Sequence, residues 1–397
     1  MSHGSGAEFV SRTRWWSHLL QHVKRHVESY ARQRGLGAID IRRSVFLDDS
    51  TRGTEGCILL IFSETSRIPV LVAKAAPTDL AWTRAGKAVY QIEFENLLEL
   101  ERVELNVGGR TTPEPAGMWI EDGILVTLQS ALPGRLLKNV AGRPLFSAAN
   151  AAGTFDRVLE WWLRFQRAFR LQRQVITEEI YRDELLSQMS RFKRHFVTTR
   201  AELRLLDDTF LENRRLLGVE LPLTVRHGDF CTANIILQGE HVGVFDWEFP
   251  LRHQLPLFDL FSFFASLRFP FAGLRGESRH FESFLEVYWG DSHVNRIFRK
   301  TLHRVCAEFE IPEELVGDLL LVSLIQIANL KYERLLEMHG IGTAPDTDPE
   351  ATDAEKRARW QSLGTLAPDV PFAHIRDGVS ENIRHIAQAG LPDLSAV

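Results

Sequence analysis

The sequence predicts an α+β fold of two lobes, a small antiparallel sheet lobe followed by a larger, mainly helical lobe. The length of 397 residues exceeds one typical domain core and favours two lobes. Apolar runs of strand length, joined by turn-like segments, occur up to residue 130, whereas apolar residues recur at helical spacing beyond the chain-breaking Pro133-Gly134. We therefore expect an N-terminal helical extension (1–37), a sheet lobe (38–130) and a helical lobe (131–397).

Composition is typical of a globular, intracellular protein. Apolar residues make up 44% of the chain, and a net charge of −5 gives no sign of nucleic-acid binding. Cys57, Cys231 and Cys306 are odd in number and lack metal-ligand spacing, so the sequence indicates neither a disulfide framework nor a zinc site. Neither a signal sequence nor an uninterrupted membrane span is apparent. We expect a cytoplasmic protein, and the oligomeric state stays open.

A basic amphipathic helix is predicted near the N-terminus, from Trp15 to Tyr30. Its apolar positions Leu20, Val23 and Val27 recur at helical intervals among basic residues. Such a helix can make a peripheral contact with a membrane surface. The alternative, which we favour, is that its apolar stripe packs on the rest of the protein.

Two apolar strands are predicted next, Cys57 to Phe62 and Val70 to Lys74, joined by a polar turn that contains Pro69. Lys74 ends the second strand. An amphipathic helix from Lys87 to Leu105 follows, with its apolar side facing the sheet.

A hairpin is predicted after this helix, because Asp122-Gly123 stands between two apolar runs. Its second strand, Ile124 to Leu128, runs towards Pro133-Gly134. These two residues break the chain and mark the change from strands to helices.

The most informative segment runs from Val225 to Glu248 and contains two acids and an amide, Asp229, Asn234 and Asp246. Phosphoryl transfer needs a residue that receives the acceptor hydroxyl and oxygen ligands that hold Mg²⁺, and protein kinases supply them in this order and spacing. The apolar runs after Asn234 and before Asp246 predict a hairpin whose outer ends place these two residues side by side. Carboxylate and amide oxygens suit Mg²⁺ better than zinc.

Each of these polar residues alone would be interpreted as part of a turn or the end of a strand. Together with His227 and Gly228 they form a set that should occur by chance in a chain of this length on the order of 10⁻⁴ of the time. The catalytic interpretation is therefore favoured over the structural one.

The segment resembles the aminoglycoside phosphotransferase and choline kinase family, which carries a His-Gly-Asp loop, an Asn five residues later and an Asp-Trp/Phe-Glu-like motif. The resemblance implies a protein-kinase-like fold, with Asp229 as the catalytic base, His227 as a scaffold of the loop, and Asn234 and Asp246 as Mg²⁺ ligands. It further implies that Asp259, in a Pro-x-x-Asp-Leu segment, supports the catalytic loop by hydrogen bonds.

The resemblance also assigns residues of the sheet lobe to nucleotide binding. Lys74 would contact phosphates and pair with a glutamate of the following helix, for which Glu93 is the first candidate and Glu95 the second. Backbone groups of a hinge would contact adenine, and a glycine-containing loop would cover the phosphates. The hinge residues are Leu128, Gln129 and Ser130, and the loop glycines are Gly53 and Gly56.

Two departures from the family pattern stand out. The loop before Cys57 has no Gly-x-Gly-x-x-Gly, which leaves open the amides that hold the triphosphate. In the helical lobe, Phe165-Gln166 replaces a Leu-His pair that is frequent in the family.

The sequence thus predicts an ATP-dependent phosphotransferase that uses Mg²⁺ and acts on a hydroxyl of a small molecule, with GTP not excluded as the donor. The acceptor stays open among sugars, amino alcohols and aminoglycoside-like compounds. The alternative is a nucleotide-binding pseudokinase without transfer activity. A protein kinase is disfavoured, because no Ala-Pro-Glu signature follows Asp246.

Overall fold

The structure of the protein is a computed structural model that divides into two compact units. The first unit comprises residues 1–134 and 243–248, and the second comprises residues 135–242 and 249–397. The division falls after Gly134, close to the predicted boundary after residue 130. The residues that the structure describes are 20–21, 23–36, 38–39, 43–48, 57–77, 83–84, 87–103, 111–141, 148–196, 198–249, 251–266, 279–338, 352–356, 358, 361 and 382–389.

The first unit contains a five-stranded antiparallel sheet in the order β1-β2-β3-β7-β6. The strands are β1 (Val45–Asp48), β2 (Cys57–Ile61), β3 (Leu71–Pro77), β6 (Pro115–Glu121) and β7 (Ile124–Ser130), with β4 (Thr83–Arg84) and β5 (Lys87–Ala88) forming a separate pair. The predicted turn between the last two strands of the sheet is present. Asp122 and Gly123 have φ angles of 51° and 75°, as a type I′ turn requires.

Two helices cover the two faces of this sheet. Residues 23–34 form helix α1, and Val23 and Val27 pack against one face of the sheet. Helix α2 (Val89–Arg102) packs against the other face, where Tyr90 contacts Leu125. Successive residues of a strand point to opposite faces, so Ala73 faces α1 while Lys74 faces α2.

The first helix belongs to the core of its unit. Val27 is fully buried, the ring of His26 stacks on Trp119 at 4.0 Å, and Arg25 donates to Glu121 at 3.0 Å. Its apolar stripe therefore packs on the protein, which is the favoured of the two alternatives for this helix.

The second unit is mainly helical, in agreement with the predicted α+β class. Its helices are α3 (Leu137–Ala141), α4 (Ala148–Ala168), α5 (Glu178–Ile180), α6 (Ser187–His195), α7 (Arg200–Asp207), α8 (Phe258–Ala265), α9 (Arg279–Tyr288), α10 (His293–Phe309) and α11 (Val316–Met338). Short π-helical turns extend α5 and α7 over Tyr181–Leu186 and Asp208–Asn213, and a 3₁₀ turn, Glu313–Leu315, precedes α11.

Two small antiparallel sheets accompany these helices. In one, β10 (Glu220–Val225) pairs with β9 (Gln172–Val175) and β13 (His253–Gln254). In the other, β11 (Ile235–Gln238) lies between β8 (Arg135–Leu136) and β12 (His241–Val244), so the hairpin predicted after Asn234 is present.

Apolar residues recur at helical spacing from Glu178 to Leu206, but this stretch does not form a single helix. The helix α6 ends before Phe196, whose backbone is extended, and Thr199 begins a new helix. The side chain of Thr199 accepts from the amide of Glu202, and the Glu202 carboxylate accepts from the amide of Thr199, which is a capping box. Both N-terminal amides of α7 are thus satisfied locally, which favours a new start over a continuous helix.

One segment of the described chain, Glu313–Glu333, is long and apolar enough to span a membrane by length and composition alone. It covers most of α11, and 72% of its apolar window is buried inside the protein. Core helices of soluble proteins share both properties, so this segment is weak evidence for a membrane span.

We predict that Val27→Ala lowers the melting temperature by about 4 °C or more, because two buried methyl groups are lost from the contact between α1 and the sheet. Ser29→Ala, at an exposed position of the same helix, is the matched control and should change the melting temperature little. Differential scanning calorimetry measures both. Equal melting temperatures of the two variants would show that α1 does not stabilise the sheet.

Candidate active site

A buried lysine in the first unit binds two carboxylates. The ammonium nitrogen of Lys74 lies 2.6 Å from Oε2 of Glu93 and 2.9 Å from Oδ1 of Asp246. All three side chains are at most 7% exposed. Strand β3, helix α2 and the segment after β12 each contribute one residue. Lys74 and Glu93 were expected to pair, Asp246 was selected from a different segment, and the structure brings the three together.

The environment of Lys74 keeps it charged. Burial alone would lower the pKa of the Lys74 ammonium, but the carboxylates of Asp246 and Glu93 outweigh burial and raise it above its ordinary value. The Lys74 ammonium therefore stays charged at physiological pH, and its charge favours burial of the neighbouring carboxylates.

Of the two candidate glutamates of α2, Glu93 is the residue that pairs with Lys74. Glu95 is half-buried and accepts a hydrogen bond from Gln91 at 3.0 Å instead. The side chain of Gln129 reaches Glu93 from β7, with 3.5 Å between Nε2 and Oε1.

The predicted hinge residues continue strand β7. Leu128 and Gln129 pair with β3 on one side and β6 on the other, and the amide of Ser130 donates to the carbonyl of Glu114. Strand pairing therefore occupies much of their backbone, and their contact with adenine stays a prediction. Gly53 and Gly56 lie outside the described residues.

The backbone around Asp246 is held in an unusual conformation. Asp246 has a φ of 69°, in the left-handed region that few residues other than glycine adopt. The indole of Trp247 donates to the carbonyl of Val244 at 3.1 Å, across Asp246. The side-chain amide of Asn96, on α2, donates to the carbonyl of Trp247 at 2.7 Å. Sequence reasoning missed Asn96, because nothing in a helix pattern marks one polar residue as the partner of a distant backbone.

A second cluster lies in the second unit, on the loop between β10 and β11. The amide of Asp229 donates to Nδ1 of His227 at 3.2 Å, and His227 is buried. The side-chain nitrogen of Asn234 donates to Oδ2 and to the backbone oxygen of Asp229, both at 3.0 Å. These bonds fix the orientation of the Asn234 side-chain amide relative to Asp229.

Asp259, on the first turn of α8, holds the start of this loop. Its two carboxylate oxygens accept from the amides of His227 and Gly228, at 2.8 and 3.1 Å. Burial raises the pKa of Asp259, while the nearby His227 acts in the opposite direction. Gly228 has a φ of 87°, and a Cβ there would lie 2.5 Å from the ring of Phe249, so only glycine fits.

Gln166, which departs from the family pattern, supports the same loop from α4. Its side chain donates to the carbonyl of Val225 at 2.7 Å and accepts from the amide of Val225 at 2.9 Å. The buried side-chain amide of Gln166 thus makes the two backbone hydrogen bonds that a neighbouring strand would otherwise make with Val225, at the end of β10. The burial of Gln166 and its two hydrogen bonds with Val225 depend on tertiary packing, so no sequence signal was available for this role.

Glu248 is a further acid that the sequence analysis did not select. It is fully buried, and one of its oxygens lies within 4.8 Å of an oxygen of Asp246 in the same unit. The Asp-Trp-Glu motif quoted for the resemblance contained it, and the proximity of two buried carboxylates identifies it as a candidate ligand for a hard cation.

Comparison with known proteins agrees with this arrangement. The model of the phosphotransferase enzyme family matches residues 97–289, a stretch that includes the catalytic loop and Asp246. No curated protein matches the chain at a significant level.

Solved structures with a similar chain path include aminoglycoside phosphotransferases. One is the enzyme APH(3'')-Id from Streptomyces rimosus, 15% identical, covering 85% of this chain and 92% of its own, with a TM-score of 0.38. A second is a GDP complex of an aminoglycoside 2'-phosphotransferase, which is 11% identical, covers 88% of this chain and 94% of its own, and has a TM-score of 0.48. A third is an ADP-bound APH(2'')-Ib, which is 12% identical, covers 86% of this chain and 96% of its own, and has a TM-score of 0.40.

The family match confirms the resemblance that the catalytic segment predicted and, with it, the class of enzyme. The chain is a small-molecule kinase similar to the aminoglycoside phosphotransferase and choline kinase family.

Proposed function

We propose that this protein transfers the γ-phosphoryl group of ATP to a hydroxyl of a small molecule, with Asp229 as the catalytic base. The observation that carries the proposal is the buried contact of Lys74 with both Glu93 and Asp246. A lysine buried between two acids has no simple role in stability, and groups of this kind concentrate at functional sites. Phosphoryl transfer needs this combination, because one cation must bind phosphate while an acid beside it binds metal.

Lys74 retains the capacity to bind a phosphate. An ammonium group has three N–H donors, and Glu93 and Asp246 accept from two of them. The third donor suits an oxygen of the α- or β-phosphate. The two carboxylates fix the direction in which this donor points.

The residues assigned to the metal fit Mg²⁺. Asn234 and Asp246 offer amide and carboxylate oxygens, and the buried Glu248 adds another carboxylate near Asp246. Such oxygen ligands match a hard divalent cation. When bound, Mg²⁺ neutralises charge on the phosphate oxygens during transfer.

Asp229 is suited to receive the proton of the acceptor hydroxyl. It is half-buried, and its Oδ2 already accepts from Asn234. The proton would pass to Oδ1 as the hydroxyl oxygen attacks phosphorus. Because Asn234, His227 and Asp259 hold the loop, Asp229 needs little reorganisation to reach this position.

The acceptor is a small molecule, and its identity stays open among sugars, amino alcohols and aminoglycoside-like compounds. Some structures with similar chain paths contain streptomycin or gentamicin. In this chain Arg252, His253 and Gln254 follow the metal motif, which argues against a strongly cationic acceptor. A cytoplasmic location and ATP as the preferred donor remain predictions.

The alternative is a pseudokinase that binds nucleotide without transferring phosphate. The two alternatives differ in ATP consumption. A pseudokinase would bind Mg²⁺ and ATP yet consume no ATP with any acceptor. The presence of Lys74, Asp229, Asn234 and Asp246 favours the enzyme.

We predict that Asp229→Asn lowers ATP consumption by roughly 10²-fold or more, because the general base is lost while the hydrogen bond with Asn234 can be kept. The assay is a screen of ATP consumption over aminoglycosides, amino alcohols and monosaccharides. Asp291→Asn, at a fully exposed aspartate, is the matched control and should retain activity. Activity retained by Asp229→Asn would exclude Asp229 as the base.

We further predict that Glu93→Gln raises the KM for ATP by at least about tenfold, because the charge-assisted bond that orients Lys74 is lost. Glu95→Gln changes the same residue type on the same helix and should leave the KM unchanged. Steady-state kinetics at saturating acceptor compare the two. Equal effects would show that the Lys74–Glu93 contact does not serve nucleotide binding.

A further inference from the structure

Asn96 lies three residues after Glu93 on helix α2, and both side chains are buried. Residues at this spacing lie on the same side of a helix. Glu93 binds Lys74, which in turn binds the side chain of Asp246, whereas Asn96 binds the backbone that follows Asp246. One face of α2 is thus connected to Asp246 in two ways, through Lys74 and through the backbone of Trp247.

The backbone bond of Asn96 is placed where it controls the conformation of Asp246. Asp246 has its φ at 69°, an unfavourable angle for a residue with a side chain, and such angles persist only where the surroundings fix them. Trp247 is fixed on two sides, by its indole bond to Val244 and by the bond from Asn96 to its carbonyl. Trp247 is fully buried, so water does not replace either partner.

We propose that Asn96 is a positioning residue that sets the direction of the Asp246 carboxylate for the metal. This inference rests on the proposed function, in which Asp246 binds Mg²⁺. Two side chains of helix α2 then orient the site. Glu93 orients Lys74, which binds phosphate, and Asn96 orients Asp246, which binds the metal. Loss of the Asn96 bond allows Asp246 to leave its left-handed conformation, and the metal is then bound less well.

A purely structural role of Asn96 predicts a different result. Buried asparagine amides commonly satisfy a backbone carbonyl, as Asn295 does in α10, where its Nδ2 donates to the carbonyl of Val287 at 2.7 Å. Both bonds are buried and equally long, but the hydrogen bonds of Asn295 within the described part of the chain involve Ser292, Val287 and Arg299 and none of the proposed site residues. If each bond only stabilised the fold, both substitutions would lower stability and neither would alter the Mg²⁺ requirement.

The test compares Asn96→Leu with Asn295→Leu in the full-length protein. Binding of a fluorescent, non-hydrolysable ATP analogue is measured as MgCl₂ is raised, and melting temperatures are recorded in parallel. We expect Asn96→Leu to need at least fivefold more Mg²⁺ for half-maximal binding, with binding restored at high Mg²⁺. Asn295→Leu should match the wild type in this titration in spite of a lower melting temperature.

A second variant keeps the test decisive if Asn96→Leu does not fold. Asn96→Asp keeps the shape of the side chain and removes the N–H donor, so it should show the same higher Mg²⁺ requirement. An unchanged Mg²⁺ requirement in the folded Asn96 variants would overturn the positioning role while leaving the proposed function intact. A wild-type protein whose nucleotide binding does not respond to Mg²⁺ would instead overturn the proposed function, and this inference with it.

Discussion

The buried contact of Lys74 with Glu93 and Asp246 is the constraint on which the first unit depends. Two acids and one base are removed from water, and such a group is stable only while every member keeps its partners. The contact joins β3 and α2, which are close in sequence, to the segment after β12, and Lys74 and Asp246 are 172 residues apart. Because removal of Lys74 would leave two buried carboxylates without an opposite charge, the three elements are held in one relative arrangement. Precise placement is what a site for phosphates and metal requires.

The sheet makes this placement possible by separating its two faces. On β3, Leu71, Ala73 and Ala75 pack with helix α1, while Lys74 points to the opposite face and α2. The face of the sheet that packs against α1 is therefore an apolar support, and the opposite face carries the candidate site. Helix α1 completes the support, since a sheet with one face exposed could not exclude water from the core behind Lys74. Residues 23–34 thus pack within the first unit.

Sequence patterns predicted those parts of the structure that local chemistry specifies. The strands around Lys74, the helix with Glu93, the Asp122-Gly123 turn and the hairpin after Asn234 each follow from short-range periodicity or turn residues. Strand β9 was missed, because Gln172–Val175 is exposed throughout and forms a strand only by pairing with β10. Asn96 and Gln166 were missed for a related reason. Their partners are backbone groups more than fifty residues away, and a backbone carbonyl has no sequence signature.

The loop that carries Asp229 shows why the sequence predicts the reaction more readily than the acceptor. His227, Gly228 and Val225 are held through their backbone groups by Asp259 and Gln166, and Asn234 holds Asp229. These bonds need no substrate, so the loop is preorganised and the residue types at its fixed spacings are constrained. Contacts to an acceptor come from side chains outside this framework, and many residue types can supply them. The chemistry is therefore specified by a short segment of fixed geometry, whereas specificity is spread over positions that no motif marks.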